Sequence, residues 1–202
     1  VDVFEAMATT RAMRRLDPDR DVSDADLLKV VEAATKAPSG GNSQPVRWLV
    51  VRDAAKRKQL GDIYRACWAP VREMYAAAMK EDDGSVNARV LRSADYLGDH
   101  MGDAPAIVLP CSKGAPGQAE SSVFGAVQNL FLAARALGLG TTLTTVHRMR
   151  EGEVKALLEV PDDVTTWAMI PVGYPLGRWG EAQRRPVREV TYWDSWRSPP
   201  PT

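Results

Sequence analysis

Three arginines fall within five residues: Arg11, Arg14 and Arg15. Forked guanidinium donors at that density suit a phosphate group, and a fixed cation beside an electron-accepting ring stabilises the ring once it is reduced. A solvated basic helix end has the same composition, because cations favour helix C-termini. A second polar segment spans residues 37–45 (APSGGNSQP). Its glycines let the backbone turn closely around a ligand, and Ser39, Asn42 and Gln44 offer donors and acceptors for the polar edge of a heterocycle. Taken alone, it is equally a plain loop. Residues 138–145 (GLGTTLTT) form a third segment, in which hydroxyls beside backbone N–H groups suit a hydrogen bond to a redox-active ring nitrogen. Threonine runs are also ordinary strands. The fourth, residues 183–187 (QRRPV), either returns an arginine to the phosphate or lies as a charged surface loop.

Other chemistries lack their residues. The chain has no G-x-S-x-G, H-E-x-x-H or P-loop, and no G-x-G-x-x-G after a strand, so hydrolase and NTPase readings lose their support. His100 and His147 have no histidine partner at ligand spacing, so no metal site is expected. Both are expected at the surface or at helix ends, with a substrate contact from His147 left open. Cys67 and Cys111 are far apart without a CxxC, which reads as two idle thiols.

Lysine plus arginine (26) balances aspartate plus glutamate (26), leaving no net field for a polyanion such as nucleic acid. No apolar run approaches the roughly 20 residues of a membrane span, and residues 1–10 lack a signal-peptide pattern. A soluble, cytoplasmic chain is the expectation.

The elements that must position these segments are legible in outline. Ser23 can cap a helix whose third residue is Asp26, with Leu27, Leu28, Val31 and Ala34 on one face, ending before Pro38. Residues 47–52 (RWLVVR), 106–109 (AIVL) and 165–172 (TTWAMIPV) read as strands. Residues 53–101 look mainly helical around the break Asp82, Asp83 and Gly84, with Trp68, Tyr75 and Tyr96 as core aromatics or a substrate sandwich. Residues 122–139 form the strongest helix, with Val123, Val127, Leu130, Phe131, Ala134 and Leu137 along one stripe, and a short helix follows near 151–159. Helices outweigh strands in an order that suggests α+β. Residues 1–197 read as one domain and 198–202 (SPPPT) as a flexible proline-rich tail.

In this order, the segments resemble the flavin-dependent nitroreductase family from Arg11 to about Trp196. That family opens with an R-x-S-x-R element, continues with A-P-S-x-x-N-x-Q-P-W before a strand, has an alanine-rich helix ending in G-L-G, and closes with V-G-Y-P and R-x-P. Here residues 11–15, 37–46, 126–140, 172–175 and 184–186 correspond. The resemblance implies a mostly antiparallel sheet flanked by helices, a long central core helix and an intertwined homodimer with FMN at the interface. It further implies hydride transfer from NAD(P)H through flavin N5 to a nitroaromatic, quinone or related small acceptor. Reductive dehalogenation, dehydrogenation, flavin breakdown or FMN storage would use the same contacts.

By position, the resemblance makes Arg11 and Arg184 the phosphate ligands. Arg15 becomes the cation at the pyrimidine edge, with Ala12, Met13 and Arg14 lining the same stretch. It places Ser39, Asn42 and Gln44 across the dimer interface, and Leu143, Thr144 and Thr145 near N5 and O4. No side chain acts as a nucleophile, since the chemistry belongs to the flavin. Met13 departs from a frequent family serine, and Val46 from a frequent tryptophan.

Overall fold

The computed structural model describes residues 1–80, 85–113 and 119–201; the expected break at residues 82–84 lies outside them. Six α-helices and five strands follow one another along the described chain. They are α1 (Val3–Thr9), α2 (Asp24–Thr35), β1 (Val46–Val51), α3 (Ala54–Lys80), α4 (Val86–His100), β2 (Ala106–Lys113), α5 (Glu120–Ala136), β3 (Gly140–Thr141), α6 (Glu151–Leu158), β4 (Val164–Thr166) and β5 (Ile170–Gly173). The sheet runs β1-β2-β5-β3 with β4 also on β2, and all its strand pairs are antiparallel.

β2 explains the layering. Successive side chains on a strand point to opposite faces, and both faces of this one are buried, so it reads as an unbroken apolar run rather than an alternation. Ala106 and Val108 pack with Val30, Val123, Leu130 and Ala134 on the α2 and α5 side. Ile107, Leu109 and Cys111 pack with Leu60, Tyr64, Leu97 and Val154 on the α3, α4 and α6 side. Each fully buried large aliphatic residue here contributes about 1.5–3 kcal/mol. The fold is α+β, an antiparallel sheet between two helical layers.

The Ser23 cap forms as expected: its Oγ accepts the Asp26 N–H at 3.1 Å and donates to the Asp26 carboxylate at 2.8 Å. The buried face of α2 is Leu27, Val30 and Ala34, whereas Leu28 is 68% exposed. α5 ends where Gly138 takes a positive φ of 76°. There, the Leu139 N–H reaches back to the Ala134 carbonyl at 2.8 Å, a glycine C-cap.

The strand expected over residues 165–172 is in fact two. β4 pairs Thr166 with Cys111, while β5 pairs Ile170 with Val108, so the register shifts by one residue between them. The extra residue is a bulge. Trp167 fixes it by donating its backbone N–H to Pro110 O at 2.9 Å and its indole N–H to Ser112 Oγ at 2.7 Å. In turn, the Met169 N–H is freed from the ladder and donates to Thr144 O at 2.9 Å.

α3 and α4 lie against each other along Trp68, whose indole donates to Asp95 at 2.9 Å, while Gly98 leaves room for the ring. Arg72 pairs with both Asp95 and Asp99. The proline tail is engaged through Pro201: Arg188 donates to the Pro201 carbonyl at 2.6 Å.

Candidate functional site

The arginine segment is an extended strip laid beside the sheet edge. Ala12 bridges Thr141, the Met13 N–H donates to Thr141 O at 2.8 Å, and Leu16 bridges Pro175. Met13 and Leu16 are buried with Ala104 against Trp179. Gly140 permits that approach, since a Cβ there would lie 2.8 Å from Met13 Cβ. Met13 is therefore a packing residue: its side chain faces the interior and its N–H is taken by Thr141.

With Met13 and Leu16 turned inward, the arginines between them diverge. Arg15 lays its guanidinium on the Tyr96 ring, 4.1 Å from the centroid, and Tyr96 stacks in turn on His100. Arg14 is half-buried and lies where its charge acts on Tyr64. Among the described residues it has no hydrogen-bond acceptor and no acidic partner. Burial pushes its pKa down, an effect the Tyr64 phenol only partly opposes. The Tyr64 hydroxyl meets Thr144 Oγ1 at 3.0 Å in the interior, and burial raises the phenol pKa. Three segments thus converge here: residues 11–16, α3 and the loop after β3. Along that loop Thr144 points inward, while Leu143 and Thr145 face outward.

The two chain ends meet nearby. Arg11 donates through Nη2 to the Arg178 carbonyl, and the Ala182 N–H donates to Ala8 O at 3.1 Å. The approach to Arg184 therefore runs beside the end of α1, and Arg184 itself is exposed, donating to the Gln183 carbonyl at 2.8 Å. Arg135, near the end of α5, sits beneath this corner.

The second polar segment is elsewhere. Its Gly40 N–H donates to Ser122 Oγ at 3.2 Å, at the start of α5. Arg135, beside the other corner, lies about 20 Å along the same helix, taking roughly 1.5 Å per residue. Asn42 and Gln44 are exposed and Ser39 is half-buried, and they bond mainly to one another: Gln44 N–H to Ser39 Oγ at 3.0 Å and Gln44 Nε2 to Asn42 Oδ1 at 3.2 Å. Gly41, Asn42 and Gln44 all hold left-handed backbone. Cavities of about 470 and 210 Å³ flank this loop, and Arg11, Arg14 and Thr144 line neither.

His147 corrects its expectation of a surface or helix-end place. It is fully buried, Nε2 lies 3.2 Å from both the Thr166 carbonyl and Thr166 Oγ1, and Nδ1 has no partner. Thr166 Oγ1 spends its proton on Glu151 at 2.8 Å, so Nε2 carries the hydrogen and the ring is neutral. Burial lowers its pKa to about 4. Cys67 and Cys111 are free and buried, and burial pushes the Cys111 thiol up to about 11. Among the described residues no group of three or more acidic, histidine or cysteine side chains could hold a metal ion, and no helix is long and apolar enough to cross a membrane.

The extended arginine strip, the threonine loop behind it and the long central helix all lie within residues 7–174, which the profile of one sequence family matches. The chain belongs to the nitroreductase family. Among curated relatives it is 29% identical over 179 residues to an iodotyrosine deiodinase of Thermotoga neapolitana, covering 86% of this chain and 87% of that one. It is 26% identical to an NADH dehydrogenase of Thermus thermophilus over 96% of both chains. The crystal structure of oxidized iodotyrosine deiodinase bound to FMN and 3-iodo-L-tyrosine superposes with a TM-score of 0.78 at 23% identity, covering 96% of this chain and 100% of that one. At that identity the likeness is one of fold. The family match stops at Tyr174, so Arg184 lies beyond it.

Sequence reasoning missed Tyr64, Ser122 and Arg135. Arg135 left one signal, the sole cation of α5, near the end of a largely apolar stretch.

Proposed function

We propose that this nitroreductase-family chain is an FMN-dependent oxidoreductase that takes hydride from NAD(P)H and delivers it to a nitroaromatic, quinone or related small acceptor. Arg14 is the observation that carries the reading. A half-buried guanidinium without an anion is a costly arrangement unless a ligand supplies the charge. When bound, FMN supplies two-electron transfer between a nicotinamide donor and an acceptor stacked on its ring.

The residues present fit that group. Arg11 and Arg184, on adjoining segments, would hold the phosphate through charge-assisted hydrogen bonds. Arg14, rather than Arg15, would face the pyrimidine edge and stabilise the negative charge of the reduced ring. Arg15 is instead occupied by Tyr96. Leu143 and Thr145 would present the outward face of the threonine loop, held from behind by Tyr64 and Thr144.

Ser39, Asn42 and Gln44 would join the same mononucleotide from a second chain. The separation along α5 supports this, since one protomer keeps its loop about 20 Å from its own arginine corner. The exposed apolar residues of the C-terminal stretch, Val187, Val190, Trp193 and Trp196, suit such a homodimer. The relative named as an iodotyrosine deiodinase favours testing a halophenol acceptor beside nitro and quinone compounds.

The purified protein is expected to be yellow with two visible flavin bands. NADH or NADPH should bleach it anaerobically, and nitrofurazone, menadione or a halophenol should restore the colour. A protein that stays colourless after FMN reconstitution defeats the reading, and one that binds FMN but is bleached by neither nucleotide is a store rather than a reductase.

A further inference from the structure

From its contacts, we infer that Arg135 is a positioning residue that sets the phosphate corner of the cofactor site without touching the ligand. It is only 8% exposed, an unusual place for a cation. Three groups from both ends of the chain share it. Nε donates to Thr9 Oγ1 at 2.7 Å, Nη2 donates to Glu5 Oε1 at 3.3 Å, and the guanidinium lies over the Trp179 ring, 4.4 Å from the centroid.

Two of these partners adjoin a proposed phosphate contact. Thr9 is two residues before Arg11, and Trp179 follows Arg178, whose carbonyl receives the Arg11 guanidinium. The Ala182 N–H then donates to Ala8 O at 3.1 Å, two residues before Arg184. Arg135 therefore clamps the end of α1 and residues 178–184 to the end of α5. Its charge is met by Glu5 and by the helix C-terminus, which favours a cation in its last turn. A neutral hydrophobe there would pack the helices but would not fix Thr9, and Arg11 would lose its set direction.

This rests on the proposed role of Arg11 and Arg184, and the test separates the two ideas. The dissociation constants of FMN and of riboflavin are compared, since the two ligands differ only in the phosphate. For Arg135→Gln the FMN constant should rise about tenfold, the scale of one charge-assisted hydrogen bond, while the riboflavin constant stays within about twofold. Thr9→Val, which preserves the fold if Arg135→Gln does not, should shift the ratio the same way by about threefold. Arg135→Lys, keeping the charge but losing the fork, should recover only part of the ratio.

Equal weakening of both flavins, or of neither, makes Arg135 a packing residue and overturns the inference. The control is Arg11→Ala. If it raises the ratio of the FMN to the riboflavin constant while Arg135→Gln and Thr9→Val do not, only the positioning role falls; if it leaves the ratio unchanged, the phosphate assignment falls and takes the positioning role with it.

Discussion

The arginine corner and the glycine-rich loop look alike in sequence, both short and polar beside a helix, yet they are held in opposite ways. The corner is tied from several sides: Ala12 and Met13 to Thr141, Arg11 to the Arg178 carbonyl, and Arg135 to Glu5, Thr9 and Trp179. Among the described residues the loop at 37–45 has two side-chain anchors outside itself, Ser122 and Arg47, and holds three residues in left-handed backbone. A region finished within its own chain shows its partners. In the proposed homodimer the loop would meet its neighbour with exposed donors beside cavities.

Mixing two broken chains tests that contrast most severely. Arg11→Ala with Arg184→Ala should raise the FMN dissociation constant at least about hundredfold, the sum of two charged hydrogen bonds. Asn42→Ala with Gln44→Ala should weaken binding too. If the loop serves a neighbouring subunit, co-refolding the two variants should restore tight FMN binding in one site of each mixed dimer, by fluorescence titration. Should the mixture bind no better than its parents, the corner and the loop belong to one chain's site and the contrast is wrong.

The fold that carries both regions should also weaken at acid pH. His147 keeps its neutral ring down to about pH 4, while the unfolded chain takes a proton near pH 6.5. Its contribution is complete above pH 6.5 and is lost as pH falls toward 4, by about 3 kcal/mol. Urea unfolding across that window should show the fall, and His147→Asn should flatten it.

Within the corner, the two neighbouring arginines should differ. Arg14→Gln should lower the two-electron midpoint potential of bound flavin by about 30 mV, equivalent to about 1.4 kcal/mol. Arg15→Gln should move it much less. Equal shifts would return the ring-edge role to both. The smallest effect belongs to the loop anchor, where Ser122→Ala should cost about 1 kcal/mol of stability or less, read by thermal unfolding.

Local patterns made much of the fold legible. Ser23 and Asp26 name the start of α2 within a four-residue window, and the spacing of Val123, Val127 and Leu130 names the buried side of α5. The sequence motif also marked residues 11–15 as a candidate cofactor-binding segment. It did not say which arginine turns inward, because that depends on how closely Gly140 lets Met13 approach, a contact more than a hundred residues away in sequence. Tyr64 was invisible for a similar reason, being one aromatic among several on α3 until the loop after β3 is laid across it.

The bulge at Trp167–Met169 limits how this chain can vary in length. Deleting Ala168 would let β4 and β5 run straight along β2, and would pull the Met169 amide off the Thr144 carbonyl. Shortening by a single codon at that point, outside the arginine corner, would slacken the threonine loop, so insertions and deletions should be tolerated least there.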